Sequence, residues 1–409
     1  MVGAGPAGVA AGITARRCGL DALVVDRARF PRDKTCGDGL TAGALRALES
    51  LGFDVRALPS YVHVAETVLV APSGRRVTLP LPTDGEHAGV VPRAELDDAL
   101  VRHARAQGVE VREAAGVTAL HEEADGVRVD LDDGTTCRAR WVIAADGHYS
   151  PTRRLLAASH SACDDAHADG HAAHATTPDF GTWHAFRQYF HGVDDDRLFV
   201  LFDADLLPGY AWVFPVGGGR ANVGFGVLRG RRQAATGKQL AALWRDVIAR
   251  PSMRDVLGAR AEPDGTHRAW PIPAHYDVAR LASGRVLFAG DAAGVVDPMT
   301  GEGIAQALDT GTAAARAIAQ DATPHAVTTR YRRDVGRALG RDLRFASALQ
   351  QVLRSRLGAE ATIAAVDATP WTRRNFARWM FEDYPRAALL TPSRWHRRSF
   401  TPPGAYVSA

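Results

Sequence analysis

The chain has 409 residues, of which 46% are hydrophobic and 23% charged, and its formal net charge is +3. This composition is typical of a globular protein of two or three domains, and it shows no excess of basic residues that would indicate nucleic-acid binding. The sequence shows no apolar run long enough to span a bilayer, no signal-peptide pattern and, among four cysteines, no C-x-x-C pair. We therefore expect a cytoplasmic protein with no nucleic-acid partner, disulfide framework or metal site; the oligomeric state stays open.

The chain opens with a glycine fingerprint. Gly3, Gly5 and Gly8 spell G-x-G-x-x-G, residues 6–18 are helix-prone, and the next apolar strand ends at Asp26, 18 residues after Gly8. This pattern predicts a dinucleotide whose pyrophosphate lies on the helix N-terminus and whose ribose hydroxyl binds Asp26. A carboxylate at that position disfavours the additional phosphate of NADP, so FAD and NAD remain.

The fingerprint begins unusually early. Only Met1 and Val2 precede it, where this type of fold normally has a complete central strand. We expect the natural start to lie upstream, and we expect the present chain to fold around its cofactor with reduced stability, because ladder hydrogen bonds and apolar burial are lost.

Two further segments suit close approach of backbone to a ligand. The stretch KTCGDGL, residues 34–40, places glycines before a helix predicted over 42–51. Arg93 begins a helix predicted over 92–106; it is either a surface charge or a group that reaches a phosphate or a ring edge.

A second strand–loop–helix unit lies late in the chain. A strand over 286–289 ends in Gly290 and Asp291, and the loop 298–303 leads into a helix. Asp291 can accept hydrogen bonds from ribityl hydroxyls, and the loop amides with the helix start can stabilise negative charge on a reduced flavin ring. Gly301 and Gly303 let the ring come close. Because FAD needs such a second corner and NAD does not, the sequence predicts FAD.

The predicted fold class is α/β: a Rossmann-like FAD-binding domain with an inserted antiparallel β-sheet substrate domain and a helical C-terminal region. The predicted division is an FAD-binding domain of 1–58, 93–158 and 280–325, a β-rich substrate domain of 59–92 and 181–279, a flexible insertion of 159–180 and a helical region of 326–409. Histidines cluster in the insertion, but their spacing favours a surface segment over a metal site.

These motifs resemble known flavoproteins. GAGPAG with Asp26, AADGHYSPTRR at 144–154 and GDAAGVVDPMTGEGI at 290–304 resemble the hydroxybenzoate-hydroxylase-like flavoprotein superfamily. KTCGDGL and the Y-x-W-x-F-P segment at 210–215 resemble the geranylgeranyl reductase family within it, which typically reduces C=C bonds of polyprenyl chains. The resemblance covers residues 1–325.

The resemblance implies specific contacts. The residues implied to contact FAD are Ala7, Asp26, Cys36, Gly37, Gly39, Arg93, Val117, Asp146, Asp291, Gly303 and Ile304. The segment around Asp146 and Gly147 also resembles one associated with NAD(P)H, and the electron donor is expected to be NAD(P)H or a reduced ferredoxin-like protein. The expected substrate is an isoprenoid or similar apolar molecule, such as a prenyl quinone side chain.

Three aromatic residues are candidates for the substrate site. Tyr210, Trp212 and Phe214 alternate along a strand and so share one face, which lines the pocket over the flavin or else forms plain sheet core. Reduction of an alkene also needs a proton donor, for which Cys36 and Tyr210 are the candidates because a buried thiol or phenol stays protonated at neutral pH. Cys36 could instead only pack against the ring.

Two other functions fit the same fold. One is a monooxygenase or epoxidase acting on an aromatic or terpenoid metabolite, and the other is an inactive flavin-binding homologue. A halogenase fits less well, since its W-x-W-x-I-P segment is absent. Anaerobic turnover distinguishes a reductase from a monooxygenase, because only the latter requires O2.

The segment WTRRNFARWMF, residues 371–381, predicts a basic, aromatic helix. The aromatic and apolar residues of one broad side are Trp371, Phe376, Trp379 and Met380, and the arginines of the other are Arg373, Arg374 and Arg378. Such a helix either lies peripherally on the inner face of a membrane or packs its aromatic residues on the catalytic domain.

Overall fold

The computed structural model describes residues 1–164, 183–228, 237–381 and 404–407. Most of the predicted insertion, 165–180, lies outside these residues. The α-helices of the described part are α1 Pro6–Arg17, α2 Ala42–Ser50, α3 Arg93–Ala106, α4 Pro151–Asp164, α5 Gly237–Ala249, α6 Pro251–Leu257, α7 Ile304–Gln320, α8 Pro324–Ala338, α9 Gly340–Leu353, α10 Arg356–Asp367 and α11 Pro370–Phe381.

The strands of the described part form several sheets. They are β1 Leu23–Val25, β2 Gly39–Thr41, β3 Val62–His63, β4 Glu66–Val70, β5 Arg76–Pro80, β6 Ala88–Val90, β7 Glu110–Arg112, β8 Val117–Glu122, β9 Val127–Leu131, β10 Thr136–Ala139, β11 Val142–Ala144, β12 Trp183–His191, β13 Leu198–Leu201, β14 Ala211–Gly217, β15 Arg220–Leu228, β16 Glu262–Ile272, β17 Ala282–Ser283 and β18 Val286–Phe288.

The nucleotide-binding part is built on a central, mainly parallel sheet. Val2 bridges β1 on one side and β11 on the other, so the order is β7, β1, Val2, β11, β18 and an antiparallel β17. The Val2 amide donates to the Ile143 carbonyl at 2.9 Å, and the Ala145 amide donates to the Val2 carbonyl at 2.8 Å. Met1 and Val2 therefore occupy the position of the central strand immediately before the fingerprint turn.

Helix α1 packs tightly because its residues are small. Pro6 to Ala15 are all buried. A Cβ built on Gly311 of α7 would lie 2.1 Å from the Ala7 carbonyl oxygen, so only glycine lets α7 cross α1 at this distance. The two helices that begin at the two predicted glycine corners thus pack directly on each other.

The inserted sheet has seven strands in the order β16-β12-β15-β14-β13-β4-β5. All neighbours are antiparallel except β13 and β4, which are parallel. One face packs on α5 and α6 through Phe225 and Trp244. Residues 59–92 supply β4 and β5 to this sheet, whereas β3 and β6 pair with β2 in a separate small sheet.

The region beyond 326 is helical in its described part, and its helices play different roles. Tyr331 of α8 is fully buried and its hydroxyl donates to the Phe288 carbonyl at 2.6 Å, which fixes α8 to the central sheet. Helices α10 and α11 lie against the inserted sheet, where Ile363 and Phe376 join a core cluster with Leu69 and Val200. The predicted fold class is confirmed; the domain boundaries stay a prediction.

Candidate active site

One cavity of about 790 Å³ lies between the central sheet, the inserted sheet and the C-terminal helices. All of the predicted site residues except Gly8 line it. They are Gly3, Gly5, Ala7, Asp26, Cys36, Gly37, Gly39, Arg93, Val117, Asp146, Tyr210, Trp212, Phe214, Asp291, Gly301, Gly303 and Ile304. The fold therefore brings the two glycine corners and the aromatic residues to one chamber; their individual roles stay predictions.

The three fingerprint glycines have different physical roles. Gly3 has φ +99°, and a Cβ there would lie 2.3 Å from the Ala145 carbonyl oxygen. A Cβ on Gly8 would lie 1.8 Å from the Gly3 carbonyl oxygen, so Gly8 closes the turn rather than lining the cavity. At Gly5 the nearest atom is 3.6 Å away, on Arg32. Gly5 thus leaves the N-terminus of α1, with its unpaired first amides, open to the cavity.

Asp26 is buried and its carboxylate fixes the turn. One oxygen accepts from the Ala4 amide at 2.7 Å, and the other accepts from the Ala28 amide at 2.8 Å. Since each carboxylate oxygen can accept more than one hydrogen bond, the group retains capacity for a ribose hydroxyl.

Asp297, which the sequence analysis missed, shapes the second corner. Its buried carboxylate accepts from the amides of Met299 at 2.9 Å and Thr300 at 2.8 Å, and its carbonyl accepts from Gly301 at 2.9 Å. These loop amides therefore donate within the loop, contrary to the expectation that they face a ligand. The start of α7 supplies the positive end of the helix dipole. Gly303 is its N-cap, and the neighbouring Glu302 carboxylate accepts from the Ala305 amide at 2.9 Å. Aspartate followed by Pro-x-Thr is a turn signal that could have found Asp297.

Lys34 connects the loop 34–40 to the second glycine corner. Its ammonium lies 3.3 Å from an Asp291 carboxylate oxygen and 4.6 Å from the centre of the Trp270 ring. Trp270 lines the same cavity at the end of β16, and it too was missed. Its position beside prolines in a Trp-Pro-Ile-Pro segment at a strand end is the sequence signal that could have indicated it.

Cys36 lies where the environment favours a neutral thiol. Burial raises its pKa, and the Arg93 guanidinium opposes part of that rise. Arg93 is itself buried and donates through two nitrogens to Asp97, both at 2.8 Å, one turn along α3. The charge of Arg93 is thus largely committed to Asp97, and its remaining neighbour is Cys36 rather than solvent.

The aromatic wall, defined as Tyr210, Trp212 and Phe214, packs against the Cys36 loop, residues 34–40. Adjacent rings of the wall are 6.1 Å apart. A Cβ on Gly37 would meet Phe214 at 3.3 Å, so the loop and the wall are in direct contact. The Tyr210 hydroxyl donates to the Thr300 carbonyl of the loop before α7. The two segments that carried the family resemblance therefore form one structure.

An apolar extension continues the chamber beyond the wall. Phe202 lies 6.0 Å from Tyr210, ring to ring. The other apolar residues of this extension come from the inserted sheet and from α9 to α11, and they are Leu69, Leu198, Val200, Leu349, Leu353, Ile363 and Phe376. The contribution of these helices could not be predicted from the sequence, because the helices beyond 326 carry no motif that indicates contact with the cavity.

Asp146 also lines the cavity. One carboxylate oxygen accepts from the Thr152 amide at 2.8 Å, while the other is buried with no partner among the described residues. Burial raises the pKa of this carboxyl. Nearby Arg153 donates to the Arg280 and Ala292 carbonyls, both at 2.9 Å. These two bonds anchor α4 to the segments that flank β18.

These features fit FAD. Two helix N-termini face one chamber, and glycine at position 5 leaves room for a pyrophosphate. Asp146 lines the same chamber, and one of its buried carboxylate oxygens has no partner among the described residues. Asp291 of the second corner lines the same chamber, where its carboxylate can accept hydrogen bonds from a hydroxylated linker.

Comparison with known proteins agrees. The FAD binding domain family matches residues 1–333. The menaquinone reductase of Mycobacterium tuberculosis is 33% identical over 335 residues, which cover 78% of this chain and 75% of the relative. The chain belongs to the geranylgeranyl reductase family of FAD-dependent flavoproteins. It is thus an FAD-dependent oxidoreductase.

Other members and neighbours extend this picture. Digeranylgeranylglycerophospholipid reductase 2 of Methanopyrus kandleri is 30% identical over 360 residues, 85% of this chain and 84% of the relative. A solved geranylgeranyl bacteriochlorophyll reductase-like protein from Thermoplasma acidophilum has a TM-score of 0.74 at 21% identity, covering 96% of this chain and 97% of that one. This last likeness shows the fold.

The described residues contain neither a membrane-spanning helix nor a cluster of metal ligands. None of the helices in the described part has the length and apolarity needed to cross a membrane. Within the same residues, no group of three or more His, Cys, Asp or Glu side chains could hold a metal ion. Most of the histidine-rich insertion lies outside them.

Proposed function

We propose that this family member uses FAD to reduce a C=C bond in the prenyl chain of an apolar substrate, such as a prenylated quinone or a prenyl lipid. The observation that carries this proposal is the chamber itself, in which the FAD cradle, the aromatic wall and the apolar extension share one cavity. Relatives named as reductases of menaquinone and of digeranylgeranylglycerophospholipid support the substrate class.

The protein's task is to place an unactivated alkene and to provide a proton. When bound and reduced, FAD supplies a hydride to one alkene carbon. The aromatic wall presents flat apolar surface to the chain, and the extension buries its remainder, which excludes water from the reacting carbons. A hydride and a proton then add across the double bond, so no oxygen is consumed.

We assign the proton donor to Cys36 in preference to Tyr210. The hydroxyl proton of Tyr210 is directed to the Thr300 carbonyl, which holds the ring in the wall. Cys36 instead lies in the loop under the wall, and burial raises its pKa so that the thiol stays protonated at neutral pH. The thiolate left after donation lies beside the Arg93 guanidinium, which stabilises it.

The test is product analysis with and without O2. FAD-loaded protein, reduced with dithionite, is incubated with menaquinone and with a geranylgeranyl lipid, and products are analysed by mass spectrometry. The proposal predicts gain of H2 in the prenyl chain under strictly anaerobic conditions. Gain of an oxygen atom that requires O2 would identify a monooxygenase, and absence of product with every prenyl compound would indicate an inactive flavoprotein.

The electron donor belongs to the same proposal. We expect NAD(P)H or a reduced ferredoxin-like protein to reduce the cofactor. Bleaching of the flavin colour on anaerobic addition of NADH, NADPH or reduced ferredoxin distinguishes these donors; bleaching by dithionite alone would show that the physiological donor is a different protein.

We also propose peripheral membrane contact through α11. Trp371 at its start is 64% exposed, and Arg374 is exposed beside it, whereas Phe376 packs inward against the cavity wall. The structure thus separates Trp371 from Phe376, which the sequence analysis had placed on one side. The side chains of 377–381 lie outside the described residues. A basic helix with an exposed tryptophan suits an anionic lipid surface.

A further inference from the structure

A fully buried amide connects the Cys36 loop to the aromatic wall. Asn222 lies on β15 opposite Phe214 of β14 and has no exposed surface. Its side-chain oxygen accepts from the Trp212 indole nitrogen at 3.0 Å. Its side-chain nitrogen donates to the Cys36 carbonyl at 2.8 Å and to an Asp38 carboxylate oxygen at 2.7 Å. Both N–H groups and the oxygen of this amide are therefore used.

The orientation of the amide is set by its partners. If the amide were turned over, its NH2 group would face the indole N–H of Trp212, and its oxygen would face the Cys36 carbonyl and the Asp38 carboxylate. Every contact would then be repulsive. The network accordingly admits one arrangement, and that arrangement fixes Trp212 and the Cys36 backbone relative to each other.

Asp38 holds the other end of the network. It is fully buried, has φ +66°, and also accepts from the Tyr189 hydroxyl at 2.6 Å and the Arg93 amide at 3.2 Å. A non-glycine residue at positive φ and a buried carboxylate each cost free energy, so they persist only where the surroundings hold them. Apolar residues at this place would cost less free energy to bury, which indicates that the polar network serves to fix the relative positions of its members.

We propose that Asn222 is a positioning residue that registers the Cys36 thiol with Trp212 of the aromatic wall, and that Asp38 fixes the orientation of the Asn222 amide. The inference rests on the proposed function in one respect, since it assumes that the alkene lies between the wall and Cys36. Neither Asn222 nor Asp38 lines the cavity, so both act through their neighbours.

The decisive variant is Asn222→Asp. The new carboxylate keeps an acceptor for Trp212 but replaces the donated hydrogen bonds with an acceptor facing Asp38. Two carboxylates at this distance share one proton as the pH falls. The shared proton restores the bond to Asp38, whereas the bond to the Cys36 carbonyl stays lost, so recovery is expected to be incomplete. The charged and titratable groups facing Asp38 are Cys36, Arg93, Arg187 and Tyr189. Both arginines stay charged between pH 6 and pH 8. Burial raises the pKa of both Cys36 and Tyr189.

We expect the Asn222→Asp protein to show kcat about tenfold below wild type near pH 8 and within about threefold of it near pH 6, with a much smaller change in KM. Trp212→Phe is the matched control. It removes the indole hydrogen bond and part of the ring surface that Trp212 presents to the cavity, but it adds no titratable group. Its effect is therefore expected mainly in KM and without the pH dependence.

A second readout needs no substrate. Iodoacetamide alkylation of FAD-loaded protein, mapped by mass spectrometry, compares Cys36 with exposed Cys18 as an internal reference. For each protein, the alkylation rate of Cys36 is divided by that of Cys18, and the thiol ratio is this quotient in the variant divided by the quotient in wild type. The thiol ratio should be about three or more near pH 8 and should return towards one near pH 6. The exchange variant Asp38→Asn with Asn222→Asp puts an amide opposite the carboxylate again, and it should lower the ratio at pH 8.

Melting temperature and FAD content accompany each variant. If Asn222→Asp binds no FAD near pH 8, the exchange variant and Trp212→Phe carry the comparison. A kcat defect and thiol ratio that do not change with pH, or an exchange variant that rescues neither, would overturn the positioning role. If wild-type protein reduces no prenyl alkene while the thiol ratio behaves as expected, the proposed function fails and the positioning inference stands.

Discussion

The fingerprint glycines offer a sharp test, because Gly5 and Gly8 are close in sequence but differ in space. In Gly5→Ala the new Cβ meets nothing nearer than 3.6 Å, and the backbone, at φ −72° and ψ −176°, suits alanine. In Gly8→Ala the Cβ would lie 1.8 Å from the Gly3 carbonyl oxygen, where a real contact needs at least 3.0 Å. The turn would have to open by more than ~1 Å to accept it.

The magnitudes follow from these distances. For Gly5→Ala, the loss of a preferred helix cap and the gain from a less flexible unfolded chain are each below about 1 kcal/mol and opposite in sign, so apo stability should change little. The methyl group nevertheless occupies the cradle over the start of α1, and we expect FAD affinity to fall at least about tenfold, or ~1.4 kcal/mol. For Gly8→Ala we expect a loss of about 3 kcal/mol in the absence of FAD.

The assay is thermal unfolding with and without added FAD, together with FAD titration followed by flavin fluorescence. Wild type should gain melting temperature as FAD is added, in line with linkage. Gly5→Ala should match the wild-type apo melting temperature but lose most of the FAD-dependent gain, whereas Gly8→Ala should melt lower even without FAD. Equal FAD affinity of Gly5→Ala and wild type would refute the placement of the pyrophosphate on α1.

Other expectations concern stability, chemistry and membrane contact. Tyr331→Phe removes the bond to the Phe288 carbonyl and should lower the unfolding free energy by about 1–2 kcal/mol with FAD affinity unchanged; a change below the error of chemical denaturation would contradict this. Cys36→Ser should slow anaerobic flavin reoxidation by a prenyl substrate at least about tenfold at unchanged FAD content, and an unchanged rate would remove Cys36 from the mechanism. Trp371→Ser should weaken binding to anionic liposomes in flotation, without affecting reduction of detergent-dissolved substrate; equal flotation would exclude this contact. The hydrogen bond to Glu86 raises the pKa of His63 above its ordinary value of 6.5. The pair therefore adds about half a kcal/mol to the free energy of unfolding below pH 6.5, and this contribution is lost as the pH rises through the raised pKa. His63→Gln should reduce the pH dependence of the unfolding free energy measured in urea, and an unchanged pH dependence would contradict this.

Much of the nucleotide-binding part could be predicted from the sequence because its constraints are local. Each motif of this part requires a particular local backbone geometry, and only certain residue types allow that geometry. The motifs are the fingerprint glycines, the acid at Asp26 and the glycine pair before α7. The alternation of Tyr210, Trp212 and Phe214 predicted one shared face for the same reason, and their side chains do line one cavity.

The remainder of the site depends on contacts between distant segments. Asn222 meets Cys36 across 186 positions, and Lys34 meets Asp291 across 257. No rule based on the spacing of residues along the chain predicts contacts between positions so far apart. The apolar extension was missed on the same grounds, since Leu353 and Ile363 belong to helices whose apolar positions predict burial but not what they are buried against. Within the loop 298–303, the expectation was wrong for the amides of Met299, Thr300 and Gly301, because Asp297 accepts all three of these hydrogen bonds. A turn analysis of Asp-Pro-Met-Thr would have indicated this.

The measurement that tests the account most directly is an anaerobic single turnover. Purified FAD-loaded protein is reduced with one equivalent of dithionite and mixed with a prenylated quinone whose quinone head is already reduced, so that only the chain can accept electrons. The account predicts that the yellow flavin colour returns without O2, with one double bond saturated per flavin. A flavin that stays bleached until air is admitted, with the prenyl chain unchanged, would contradict it.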